Sequence, residues 1–181
     1  MLHRLCVFCG SLHGNRPVYA DTARALGQAM AHRQIELVYG GGHVGLMGVV
    51  ADSVLDAGGR AIGVIPQALV ERELAHDRLT ELHVTASMHE RKALMVGLSD
   101  AFVALPGGFG TADEWFEILT WAQLNLHDKP VGLLDVAGFF DPLLTWIDRT
   151  VEEGFVKKQH RDKLFVERDI EPLLDRLAAA T

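Results

Sequence analysis

At 181 residues with 49% hydrophobic content, the chain has room for one domain with a real core, and not comfortably for two. A formal charge of −7 leaves no excess of Lys and Arg to displace counterions from a phosphate backbone, which excludes nucleic acid as the expected partner and favours a small molecule. No apolar run approaches the roughly 20 residues of a membrane span and no leader-like N-terminus is visible, so a cytoplasmic protein without membrane contact is expected.

Short apolar, β-branched runs alternate along the chain with longer stretches of helical spacing. This is the sequence form of an α/β domain, and the expectation over residues 1–181 is a single Rossmann-like three-layer sandwich with a mostly parallel sheet. "LHRLCVFCGS" reads as the first strand, and "VYADTARALGQAMAHR" as a helix on which Ala23, Leu26, Gly27 and Met30 recur on one face. Cys6 and Cys9 form a C-x-x-C within that strand. Residues three apart in a strand point to opposite faces, and no second Cys/His pair completes a zinc site, so strand packing is expected rather than redox or metal chemistry.

"IELVYGGG" is the second strand, and "LMGVVADSVLDAGG" is a helix closed by glycines. Between them "GGGHVG" matches G-x-G-x-x-G, the dinucleotide pattern, but it follows the second strand rather than the first. The third strand, "RAIGVIP", runs into Gln67 with no acidic residue for a ribose hydroxyl. A tight turn with close helix packing, or a phosphate contact that is not NAD, are the two readings left. No G-x-x-x-x-G-K-[ST] occurs, so the chain has no P-loop.

A mixed segment over residues 67–77 reads as a short helix and loop, followed by a fourth strand in "ELHVTAS" and a helix in "MHERKALMVGLSD". "AFVALPGG" is the fifth strand and "TADEWFEILTWAQLNL" the next helix. "KPVGLLD" forms a sixth strand, "GFFDPLLTWIDRTVEEG" a helix, "LFVER" a last short strand and "IEPLLDRLAAA" the closing helix. Ligands of open α/β sheets sit outside the carboxyl ends of the strands, which is where the glycines of this chain gather.

"PGGFGT" admits two readings. Gly107, Gly108 and Gly110 can take positive φ and let successive N–H groups converge, with the following helix adding its unsatisfied donors and dipole, a phosphate site. Equally, Thr111 followed three residues later by Glu114 fits a capping box, in which hydroxyl and carboxylate only satisfy backbone donors. Arg91 and Lys92 have a bland reading too, as a solvated helix face at the wrong end of the dipole.

The motifs taken together resemble one family. "PGGFGTADE" fits the P-G-G-x-G-T-x-x-E pattern of the LOG family, the cytokinin riboside 5′-monophosphate phosphoribohydrolases, many of which carry the older label of possible lysine decarboxylases. "CVFCGSLHGNRPVY", "VYGGGHVGLMG", "SMHERKALM" and "TWAQLNLHDKPVGLLDVAGFFDPLLTWIDRTVEEGF" are similar to that family in order and spacing, across nearly the whole chain. The resemblance implies a homodimer with active sites near the subunit contact, and hydrolysis of N6-modified AMP to free base and ribose 5-phosphate.

Carried over by position, it places substrate contacts on Arg91, Lys92, Gly108, Phe109, Gly110, Thr111, Ala112, Asp113, Glu114 and Thr120, and on Glu73 in a more variable stretch. Arg91 and Glu114 are then the catalytic pair. Thr120 lies six residues beyond Glu114, roughly 240° around the helix, so both line one pocket only if substrate or a partner subunit reaches around.

Cleaving the ribose C1′–N9 bond passes through an oxocarbenium-like state, which a carboxylate beneath the sugar can stabilise while orienting water. That role suits Glu114. Arg91 suits an anchor for phosphate or for leaving-group charge, because a guanidinium does not readily give up a proton. No metal or cofactor is called for: the nine histidines show no ligand spacing, and His43 and His89 read as loop and helix polar residues. Three alternatives stay open. They are a nucleotide-binding module without turnover, a broader AMP nucleosidase, and a pyridoxal-phosphate decarboxylase, for which no Schiff-base lysine can be singled out.

Overall fold

Each short apolar run forms a strand and each run of helical spacing a helix. The computed structural model describes residues 1–70 and 75–181. Its strands are β1 (Arg4–Phe8), β2 (Glu36–Tyr39), β3 (Ala61–Pro66), β4 (Glu81–Thr85), β5 (Ala101–Ala104), β6 (Val131–Leu134) and β7 (Leu164–Glu167). The helices are α1 (Pro17–His32), α2 (Gly45–Asp56), α3 (Gln67–Val70), α4 (Met88–Leu98), α5 (Phe109–Gln123), α6 (Asp141–Glu152), α7 (Lys158–Arg161) and α8 (Ile170–Ala180), with a 3-10 turn at Val136–Gly138.

The strands form one sheet in the order β4-β3-β2-β1-β5-β6-β7, and every pairing in it is parallel. The three-layer α/β expectation is met. Parallel sheets need cover on both faces, and two cores supply it. One packs α1, α2 and α8 against Leu5, Val7 and Cys9; the other packs Met95 of α4, Trp115 and Ile118 of α5 and Ile147 of α6 against Cys6 and Phe8.

The C-x-x-C is thereby divided between the two faces, as the strand period requires. Both thiols are free and buried. Burial, and after it the negative charge of Glu114, push both thiols up, which removes thiolate chemistry from them.

Close packing explains one glycine of the helical pattern. A Cβ at Gly27 would lie 2.8 Å from both Ser53 Cβ and Val50 O, so α1 and α2 meet backbone to backbone there. The boundaries drawn from sequence are too generous at the carboxyl ends of strands, where "GS", "GGG" and "PGG" leave the ladder and form loops. The single-turn α7 carries no apolar period and is invisible in the sequence pattern. No helix among the described residues is long and apolar enough to cross a membrane.

Candidate active site

The chain steps from β1 outward through β2 and β3 to β4, then returns to lay β5 on the other side of β1. The crevice between the carboxyl ends of β1 and β5 is therefore the point where strand order reverses, the place where open α/β sheets bind ligands. Three loops are tied together there. Gly10 N–H donates to Pro106 O (3.1 Å), and Leu46 N–H donates to Gly10 O (2.9 Å). A cleft of about 190 Å³ opens between residues 10–14 and Gly107 and Gly108, with Tyr19, Leu46 and Phe139 in its wall.

Helix α5 begins two residues earlier than its apolar pattern suggests, at Phe109, with Gly108 as N-cap in extended backbone and no side-chain cap. The capping box read at Thr111 and Glu114 is thus absent: Thr111 is already inside the first turn, and Glu114 lies a turn further in. The box is on α4 instead, where Ser87 Oγ accepts from Glu90 N–H (3.1 Å) and Glu90 Oε2 accepts from Ala86 N–H (2.9 Å).

A second correction concerns the loop glycines, none of which adopts positive φ. At Gly107 the reason is steric. A Cβ on Gly107 would stand 2.1 Å from Thr111 Oγ1 and 2.9 Å from Gly10 N, so that residue is fixed by packing. Gly108 and Gly110 differ, because a Cβ at either would meet nothing within 4 Å. The fold gives no cause for glycine at the second position of a helix, where it costs stability relative to Ala. The open side of these residues faces space that no protein atom fills.

The first intrahelical bond of α5 runs from Ala112 N–H to Gly108 O (3.1 Å), which leaves the N–H groups of Phe109, Gly110 and Thr111 without a helical acceptor. Bare backbone donors at the positive end of a 15-residue helix favour an anion.

Beside this loop lies a buried ion pair. Arg91 Nη1 is 3.2 Å from Glu114 Oε1, with side-chain exposures of 8% and 13%. Arg91 Nε donates to Val64 O (3.0 Å) and Nη1 approaches Met88 Sδ at 3.8 Å. The solvated-face reading of Arg91 is overturned. A cation in the first turns of α4 faces the unfavourable end of the dipole, and removing either partner of such a pair costs on the order of 3–5 kcal/mol. Replacing both by apolar groups is often neutral or better, so the pair is not what the fold needs for stability.

Lys92, the next residue, bridges α4 to α5. Its Nζ is 2.8 Å from Asp113 Oδ2 and 3.1 Å from Glu117 Oε2. Burial pulls this ammonium down, but the hydrogen bonds to Asp113 and then Glu117 outweigh it and hold it above the ordinary lysine range.

The glycine turn after β2 takes the tight-turn reading, with a purpose composition did not reveal. A Cβ on Gly40 would be 2.3 Å from Arg91 Nη2, so the guanidinium occupies the space that glycine leaves. Gly41, with φ +78°, turns the chain away. Gly40 is the site residue that the sequence reading missed; its only signal was a glycine run at the end of a strand.

The structure brings together Arg91, Lys92, Gly108, Phe109, Gly110, Thr111, Ala112, Asp113 and Glu114. It does not bring Thr120 to them: this residue is exposed, its Oγ1 donates to Phe116 O (2.8 Å), and it lines a separate groove with Phe116 and Trp146. Glu73 lies outside the described residues.

The family model described as possible lysine decarboxylase matches residues 47–177. A probable cytokinin riboside 5′-monophosphate phosphoribohydrolase of Oryza sativa subsp. japonica is 49% identical over 174 residues, covering 96% of this chain and 71% of the relative. A cytokinin riboside 5′-monophosphate phosphoribohydrolase of Arabidopsis thaliana is 52% identical over 159 residues, covering 88% of this chain and 74% of the relative. Among solved structures, the molybdenum cofactor binding protein of Rippkaea orientalis superposes with a TM-score of 0.74 at 23% identity, over 99% of this chain and 97% of that one, a likeness of fold.

The glycines separate by experiment. Gly110→Ala, in open space on a helix, is expected to stabilise the protein by about 0.4–1 kcal/mol in urea unfolding, whereas Gly40→Ala, which collides with Arg91, is expected to cost about 1–3 kcal/mol. Equal effects at the two positions would contradict the steric assignment.

Proposed function

The chain belongs to the LOG family, and we propose that it hydrolyses the N-glycosidic bond of adenosine 5′-monophosphates, N6-modified ones included, to free base and ribose 5-phosphate. The buried Arg91–Glu114 pair, placed beside a helix N-terminus whose glycines face open space, is the observation that carries this reading.

The 5′-phosphate fits the donors at the start of α5, where Gly108 and Gly110 present backbone without a side chain in the way. Phe109, Thr111, Ala112 and Asp113 complete this turn. The grip holds the ribose so that its C1′ lies over the Glu114 carboxylate, and fixing the reacting carbon converts binding energy into orientation. As the C1′–N9 bond lengthens, positive charge on the sugar is met by Glu114, which also orients or deprotonates the attacking water. Negative charge growing on the purine or carried by phosphate is met by Arg91, whose guanidinium stays charged throughout. Lys92, fixed between Asp113 and Glu117, ties α4 to the first turns of α5 and so holds this turn against Arg91.

Decarboxylation through a Schiff base fits these residues poorly. A Schiff-base lysine works as the neutral amine, and Lys92 is held charged by two carboxylates. Lys129 Nζ donates to Val96 O (2.7 Å) and Ser99 O (2.6 Å), which closes the carboxyl end of α4.

The proposal includes a homodimer. On α5, Phe109, Phe116 and Thr120 fall on one stripe at helical spacing, away from Glu114. Phe109 is 98% exposed, and Trp146 and Phe155 are exposed on and just after α6, large apolar side chains of the kind that subunit contacts cover. A second copy seated there brings Thr120 of one subunit toward the site of the other. Free, buried thiols suit the cytoplasm, where such groups stay reduced.

Two measurements test the proposal. Glu114→Gln keeps size and hydrogen bonding but not charge; it should fold and release adenine from AMP roughly 10²- to 10⁴-fold more slowly than wild type, and wild-type turnover would remove Glu114 from the chemistry. Sedimentation equilibrium should give twice the chain mass of 19.9 kDa; a monomer at assay concentration would sink the two-subunit site.

A further inference from the structure

We propose that His76 is a positioning residue for Arg91, acting through the glycine turn that follows β2. The inference rests on the hydrolase reading for its kinetic consequence and on geometry for the rest. The turn over residues 40–42 has no side chains with which to hold itself, so its place is set by what bonds to it. On one side it carries Arg91, whose guanidinium fills the space left by the missing Gly40 Cβ. On the other, Gly41 O accepts the His76 N–H (3.0 Å), and Gly42 pairs with Ala75 in an isolated antiparallel bridge.

His76 is itself anchored more firmly than a loop residue needs. Its side chain is 3% exposed. Nδ1 accepts from Arg78 N–H (3.2 Å), which puts the ring proton on Nε2, and Nε2 donates to Asp52 Oδ1 (3.1 Å). Asp52 also receives Arg78 Nη1 (3.1 Å), and Arg78 Nη2 reaches Asp56 Oδ1 (2.6 Å). Asp52 and Asp56 lie on α2, whose first residue, Gly45, follows the glycine turn in the chain.

A closed ring results. It runs from the turn along α2 to Asp52, across to the His76 imidazole, and through the His76 backbone to Gly41. Arg91 packs on the outside of this ring, so loosening His76 frees the surface against which the guanidinium is seated. A displacement of an ångström there is enough to spoil a preorganised charge.

The test is a mutant cycle on kcat/KM for AMP, using Arg91→Lys, which keeps the charge but not the planar fork. His76→Ala should lower kcat/KM about tenfold in wild type and have little further effect in Arg91→Lys, because both changes spoil the same seat. His76→Gln, whose amide can still donate to Asp52, should recover most of the loss. Asp52→Ala, at a half-exposed position that leaves the core intact, should give a smaller loss with the same non-additivity, and serves where His76→Ala does not fold. Equal fractional losses in both backgrounds, for His76→Ala or for Asp52→Ala, would overturn the proposal. Amide exchange over residues 40–42 supplies a readout without turnover: it should quicken in His76→Ala and in Asp52→Ala, and unchanged exchange would also overturn it. Failure of the wild type to release base from AMP would instead strike the hydrolase reading and leave the exchange result to decide the role of His76.

Discussion

A charged pair taken out of water is the constraint around which this site is built. Arg91 and Glu114 each lose hydration, and a guanidinium near the start of a helix also opposes the dipole, so the arrangement holds only if every neighbour is fitted to it. The fitting is visible in detail. Ser87 and Glu90 close the α4 terminus, Val64 O takes the Arg91 Nε proton, and Gly40 gives up its side chain to make room. Two helices that pack on the same face of the sheet, α4 and α5, are thereby held with one charge from each meeting a turn inside the α5 N-terminus.

The neighbouring loop follows a different logic. Gly107 is glycine because Thr111 and Gly10 leave it no room, while Gly108 and Gly110 are glycine although the protein leaves them room. A grip for an anion needs the second kind, because an approaching phosphate must reach backbone N–H groups that any Cβ would shield. Under the proposed function, such a grip next to a fixed carboxylate would hold a sugar phosphate in one orientation, which is what cleavage at C1′ demands.

Much of the architecture could be read from sequence because hydrophobic period and strand–helix alternation are local properties. The division of Cys6 and Cys9 between two cores follows from the strand period alone. Capping was less legible: T-x-x-E at Thr111 and S-x-x-E at Ser87 look equivalent as text, yet only the second is a cap, because α5 already begins at Phe109 and Thr111 lies inside its first turn. Composition leaves positive φ open to the loop glycines, but whether a glycine serves conformation, packing or access depends on neighbours distant in sequence. Gly40 shows this best, since its partner Arg91 is 51 residues further along. Thr120 came only from family resemblance, and the helical period already placed it on the wrong side of α5 for a single subunit.

The most direct test of the central claim is product analysis. Purified protein is incubated separately with AMP, isopentenyladenosine 5′-monophosphate and adenosine, and base, nucleoside and nucleotide are resolved by chromatography. The account predicts free base from both nucleotides with no nucleoside accumulating, and adenosine left largely intact because it lacks the phosphate that the α5 terminus grips. Intact nucleotide from folded protein, or adenosine consumed as readily as AMP, would contradict it.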